Sequence, residues 1–145
     1  MRAVERFNLT TNTWTEFADS SSSSKVPIDI YGSGCIVLPN EEILILGANL
    51  PNNNRSNALF NVESNSWKLL EDVKRDRSFT SLANIGNRTF AFGGGTSNTV
   101  EEFIYSNESW VPVEFKLHYT HSTHSTISVP AELFSHLPGG CEGVI

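Results

Sequence analysis

Three stretches of the chain share one pattern: VERFNLTTNTW (4–14), NALFNVESNSW (57–67) and VEEFIYSNESW (100–110). Each places a phenylalanine seven residues ahead of a tryptophan: Phe7 and Trp14, Phe60 and Trp67, Phe103 and Trp110. A hydroxyl residue directly precedes each tryptophan: Thr13, Ser66 and Ser109. Asn12 and Asn65 come one place before it in the first two copies, and Asn107 two places before it in the third. The tryptophans are 53 and 43 residues apart. Clusters of Asn, Ser and Thr favour turns because their side chains bond to nearby backbone. Each copy therefore reads as a β-hairpin with its Phe and Trp flanking the turn.

A second repeated piece lies between the hairpins. Tyr31–Ala48 (YGSGCIVLPNEEILILGA) aligns with Arg77–Gly95 (RSFTSLANIGNRTFAFGGG) when Gly47 is set over Gly93 without a gap. Leu44, Ile45 and Leu46 then fall over Phe90, Ala91 and Phe92, and Ile36 and Val37 over Leu82 and Ala83. Each piece reads as strand, short turn, strand, glycine, and the glycines mark sharp turns or close backbone approach. Joined to the hairpin that follows, the unit has four strands in 43 to 53 residues. That period and strand count are those of a β-propeller blade.

In detail the unit resembles the kelch repeat, which has a glycine pair after its second strand, an aromatic in its third and a tryptophan beyond the next turn. FAFGGG (90–95, with Gly93 and Gly94), VEEF (100–103) and Trp110 match those places, and Arg77 matches a basic position ahead of the first kelch strand. The earlier unit has only Gly47 and Ala48 for its glycine pair, and all three copies carry Phe where the family more often has Tyr. The resemblance spans roughly Val4 to Phe115 and implies an all-β fold, an incomplete kelch-type propeller of four-stranded antiparallel blades. Its phase predicts half a blade over 4–17, whole blades over 26–70 and 77–115, and the first part of a further blade, or a tail, over 121–140. HSTISVP (124–130) is the expected first strand of that last unit. Phe7, Phe60, Phe103, Trp14, Trp67, Trp110, Gly47, Gly93 and Gly94 are expected to build blades rather than to perform chemistry.

The remaining residues narrow the function classes. Net charge is −6, and the densest basic run, Lys74–Arg77, is interrupted by Asp76, which argues against nucleic-acid binding. No apolar run reaches the roughly 18 residues of a membrane span, and the first residues lack a signal-peptide core, so a soluble, cytoplasmic chain is expected. Cys35, in the apolar run GCIVL, is expected to be a buried thiol, and Cys141 to lie exposed in a Gly-rich tail. The sequons at Asn8, Asn54, Asn87 and Asn107 are no more than such a composition yields by chance.

His118, His121 and His124 recur at spacings of three, which would line one face of a helix but alternates across a strand. The repeat phase predicts a loop entering a strand there, so they read as solvated histidines. GGGTSN (93–98) lacks the lysine and the helix of a phosphate-binding loop. Ser20–Ser24 reads as a flexible insertion, and Asn49–Asn57 as a polar loop equivalent to Gly95–Thr99, at the place where such loops meet ligands. Tyr31, Tyr105 and Tyr119 do not recur in register with the histidines, and no spacing ties a nucleophile to a base and an orienting acid.

The expected function is that of a kelch-type protein-interaction module: no catalysis, no cofactor, no metal site, an unidentified protein partner, and self-association through open blade edges. The expected context is a fragment or truncated relative of a larger propeller protein. The alternative is a fragment of a propeller oxidase or hydrolase whose active site needs further blades.

Overall fold

The computed structural model describes residues 4–18, 26–28, 30–47, 57–71, 73 and 75–134. The fold is all-β, with ten strands in three antiparallel sheets among the described residues. Strands β1 (Val4–Asn8) and β2 (Thr13–Ala18) form a hairpin. Strands β3 (Gly34–Val37), β4 (Ile43–Leu46), β5 (Asn57–Asn61) and β6 (Ser66–Leu69) form a four-stranded sheet in chain order. Strands β7 (Ser81–Ile85), β8 (Arg88–Phe92), β9 (Thr99–Ile104) and β10 (Ser109–Lys116) form another in the same order.

The three Phe–Trp hairpins are equivalent to the residue. Phe7 pairs with Trp14, Phe60 with Trp67 and Phe103 with Trp110, and the rings lie 5.0, 4.6 and 5.2 Å apart. The residue two places before each tryptophan is left-handed: Asn12 at φ 54°, Asn65 at 51° and Glu108 at 52°. Asparagine tolerates this conformation better than most residues. That accounts for Asn12 and Asn65, while Glu108 is held there with its carboxylate on Lys68 Nζ, 2.8 Å away.

The pieces ahead of the hairpins are equivalent too, but not without a gap. Five residues (38–42) connect the paired Val37 and Ile43, whereas four (85–88) connect the corresponding pair Asn84 and Thr89. Cys35 therefore stands where Leu82 does, and Ile36 where Ala83 does. A one-residue shift moves every side chain of a strand to the other face. This corrects the expected burial of Cys35: on edge strand β3 its thiol points to the same face as Ile45, beyond the side chains that cover that face, and is exposed.

Strands β3 and β7 lie side by side, and the sheets stack face to face. One face of the first sheet sends Leu44, Leu46 and Leu59 against Leu82, Ala91, Phe103 and Trp110 of the second, and Leu38 and Leu70 complete this core. The opposite face of the first sheet holds Ile45 and Ala58 beneath Val26 and Ile28, with Trp67 at the margin. Apolar side chains on both faces explain why the ILIL of β4 does not alternate with polar residues. The tryptophans consequently differ in depth: Trp110 is 8% exposed, Trp67 partly buried and Trp14 65% exposed.

The expected strand over 124–130 is absent: residues 121–130 run without regular pairing into a short 3-10 helix at Ala131–Phe134. Their path nevertheless repeats an earlier one. The turns starting at Ile30 and Arg77 each close by a bond from the amide three residues on, Ser33 to Ile30 O and Thr80 to Arg77 O. Their third residues, Gly32 and Phe79, are left-handed, as is Thr123. Backbone bonds join these three positions, from Phe79 N to Gly32 O (2.6 Å) and from Thr123 N to Phe79 O (3.2 Å). The segment from His121 thus runs against β7 by the same backbone contact, and Thr126 N donates to Ser81 Oγ there. A strand needs a second strand to complete its ladder, and residues 135–140, with the rest of the expected unit, lie outside the described residues.

Truncating a buried tryptophan removes both transfer free energy and packing. Trp110→Ala is expected to lower stability by about 3–5 kcal/mol, and Trp14→Ala by less than about 1 kcal/mol, in urea unfolding curves. Equal losses would contradict the burial difference.

Candidate functional site

The sheets have two kinds of end. Tight turns close one end, and the other carries the β8–β9 loop Gly93–Asn98 and the β6–β7 connection. At this second end sits the most highly organised polar cluster among the described residues. Arg77, just before β7, has its side chain fully buried, and so does Glu101 on β9. Arg77 Nε donates to Glu101 Oε2 at 2.8 Å. Its Nη1 donates to the carbonyls of Gly93 (2.6 Å) and Thr99 (2.8 Å), and its Nη2 to Thr99 Oγ1 (2.9 Å). One guanidinium thereby ties together the two ends of the β8–β9 loop.

The glycines fit around this residue. A Cβ on Gly47 would stand 2.0 Å from the Arg77 carbonyl oxygen, and one on Gly94 would be 3.0 Å from Arg77 backbone. Gly93 makes the corresponding approach to His121, with a Cβ falling 2.5 Å from its carbonyl oxygen. Gly94 N donates to that same oxygen at 2.8 Å. Gly47, Gly93 and Gly94 are also left-handed, at φ 92°, 60° and 92°. Both reasons for glycine, backbone conformation and close approach, therefore apply at these positions.

Above the clamp is a polar cavity of about 280 Å³, lined by Arg75, Asp76, Thr96, Ser97, Asn98 and Thr99. Asp76 accepts from Ser78 N at 2.8 Å and from Ser78 Oγ. Ser97 Oγ bonds Thr99 Oγ1 at 2.7 Å, and Asn98 Nδ2 donates to Leu117 O. The lining offers a cation, an anion, hydroxyls and an amide, a set suited to reading polar groups and peptide backbone. The counterpart loop 49–57 lies outside the described residues except for Asn57, which is buried in β5 with its Nδ2 donating to Glu71 O. Ser20–Ser24 and Cys141 also lie outside them. At the turn end, a cavity of about 320 Å³ is lined by Asn40, Glu41, Asn61, Val62 and Glu63.

The histidines divide. His118 and His121 are exposed, whereas the ring nitrogens of His124 are inaccessible and lack hydrogen-bond partners. The expectation of three solvated histidines therefore fails for His124, whose ring lies close to Gly93. Among the described residues, no group of three His, Cys, Asp or Glu is placed to hold a metal ion. Tyr105 packs edge-on against Phe103 with its hydroxyl on Thr89 Oγ1, and Tyr31 packs edge-on against Phe79. Among the described residues, no helix is long and apolar enough to cross a membrane.

Sequence reasoning placed Arg77 but missed Glu101. The signal was its position: Glu101 stands where the first sheet has Ala58, two residues before the hairpin phenylalanine, on the apolar face of its strand. A lone carboxylate at a core position calls for a buried cation.

With the geometry in hand, comparison with known proteins adds no relative: no family model and no curated protein matches the chain.

Two outcomes follow from the clamp and its neighbour. Arg77→Ala and Glu101→Ala are each expected to cost about 3–5 kcal/mol, because each leaves a buried charge without its partner. The double variant should lose less than the sum of the singles by about 1 kcal/mol or more in a double-mutant cycle, and strict additivity would contradict the coupling. His124 is shifted below the ordinary histidine value of 6.5, first by burial and then by the neighbouring His121. The unfolded chain then takes up this proton more readily than the native one, so the contribution is lost as pH falls below the ordinary value. The Gly94 amide, bonded to His121, should therefore exchange faster at about pH 5 than at pH 7 after correction for intrinsic rates.

Proposed function

We propose that the chain is a protein-interaction module built of propeller-type blades, engaging its partner through the Arg75–Asp76 and Thr96–Thr99 surface. The observation that carries this reading is the rigid presentation of that surface. The Arg77 clamp grips both ends of the loop, so its exposed groups are ordered before a partner arrives, which reduces the entropic cost of binding. Two further observations support it. The sheets repeat strand by strand and stack the Phe–Trp face of one on the aliphatic face of the other, as blades do, with the β8–β9 loop at the end opposite the tight turns. The cavity groups suit recognition: Asp76 is already engaged by Ser78, and Arg75 is exposed. Loops carried on a rigid scaffold are the usual place for binding residues.

The test is affinity capture with the wild-type chain and variants, followed by calorimetry with the purified partner. Arg75→Glu and Asn98→Arg should weaken binding by about tenfold or more, while Glu63→Lys at the turn end leaves it unchanged. Loss on altering Glu63 alone would move the site to the other end. Binding indifferent to all three would refute the assignment.

A further inference from the structure

We infer that residues 121–126 form a pH-operated latch on the start of the β8–β9 loop, released when His124 takes up a proton. The inference concerns the free chain and does not depend on the partner-binding surface.

Three hydrogen bonds hold the segment closed. Gly94 N donates to His121 O at 2.8 Å, Thr123 N to Phe79 O at 3.2 Å, and Thr126 N to Ser81 Oγ at 2.7 Å. They reach the loop, the turn ahead of β7, and β7 itself. The seat at Gly93 is close: a Cβ there would stand 2.5 Å from His121 O and 3.2 Å from His124 Cε1. Residues 121–123 and 125 are exposed, so little buried surface reinforces these bonds. Segments held in this way open at low free energy while the core stays folded.

His124 sits in this seat in a form that resists protonation in place. The residue as a whole is partly buried, yet both ring nitrogens are shut off from solvent and lack hydrogen-bond partners. A neutral imidazole leaves one donor and one acceptor unmet there. An imidazolium would leave two donors and a full charge unmet, which burial penalises more.

The surroundings do not relieve that charge. The loop Gly93–Asn98 and strand β7 carry no ionisable side chain. The turn ahead of β7 carries Asp76 and Arg77. Asp76 is bonded to Ser78 and lies against Gly95, while Arg77 is turned to Glu101 and the loop carbonyls. Neither carboxylate is bonded to the His124 ring. Lys116 and His118 flank Leu117, whose amide bonds Asn98 O, and both are exposed. On the segment itself the ionisable neighbour is His121, its ring 5.6 Å away, and a proton on both rings is repulsive. The shift of His124 below the ordinary histidine value, by burial first and His121 second, agrees with this geometry.

Release returns the ring to water, where it titrates at about 6.5. The closed segment binds the proton less well than the released one, so falling pH drives release. One proton changes the ratio of released to closed by at most about tenfold per pH unit. The bonds on the far side of the loop are not part of the latch: Gly93 N stays on Thr99 O, Gly95 N on Ser78 O, and Arg77 on its carbonyls.

Amide exchange followed by NMR on the full chain, at about pH 7.5 and about pH 5.5 and corrected for intrinsic rates, tests this. In the wild type the Gly94, Thr123 and Thr126 amides should lose protection together on acidification, by about threefold or more, following the titration of the His124 ring protons. The Gly93 and Gly95 amides should keep theirs. His124→Phe removes the titrating group and keeps a ring, so the three amides should stay protected at both pH values. His124→Leu replaces it if circular dichroism shows that variant unfolded. His118→Gln, at an exposed position, should behave as the wild type. Protection of the three amides that does not change with pH would overturn the proposal. So would a loss shared equally by Gly93 and Gly95, or a pH dependence that survives the removal of His124.

Discussion

The buried Arg77 side chain holds the loop end of the molecule together. Its guanidinium spends four hydrogen bonds on Glu101, Gly93, Thr99 and the Thr99 hydroxyl. Its own carbonyl lies against Gly47 of the first sheet and Gly94 of the second. A charge taken out of water is costly, and it is tolerated here because its fork-shaped donors find acceptors. The consequence is directional. Strands β7 and β9, the β8–β9 loop and the neighbouring sheet are all referred to one residue, and the recognition surface proposed above stands on it.

The first sheet solves the same problem without charge. Ile30 and Ala58 occupy the places of Arg77 and Glu101 and belong to an apolar cluster with Val26, Ile28 and Ile45. Two units of one repeat thus use an ion pair and a hydrocarbon contact at one position. Replacing a buried ion pair by apolar side chains is often neutral for stability. The ion pair instead satisfies the carbonyls of Gly93 and Thr99, which aliphatic side chains cannot do.

The stacked turns give the repeat its continuity. Gly32, Phe79 and Thr123 share one left-handed conformation and are linked by backbone bonds from unit to unit. Within the described residues one sheet-on-sheet contact follows from this stacking, the Phe–Trp face of β7–β10 against the aliphatic face of β3–β6. Trp110 lies in this contact and is 8% exposed, whereas Trp14, outside it, is 65% exposed.

Much of this was legible in the residues. The Phe-to-Trp spacing determined three hairpins, because seven residues with a polar centre fit a tight reversal, whereas the placing of both rings on one face came from the register of the strands. The pattern of strands and glycines determined two four-stranded units and the positions of Gly47, Gly93 and Gly94. Depth was decided only in three dimensions. Trp14, Trp67 and Trp110 are alike in sequence and unlike in burial, because burial depends on which sheet lies opposite. The exposure of Cys35 follows from one extra turn residue, too small a change to see in an alignment of short motifs. Glu101 as partner of Arg77 required knowing that residues 24 apart meet inside the core. Local periodicity specifies hairpins, but stacking specifies which faces are dry, and stacking arises between segments that the sequence does not place side by side.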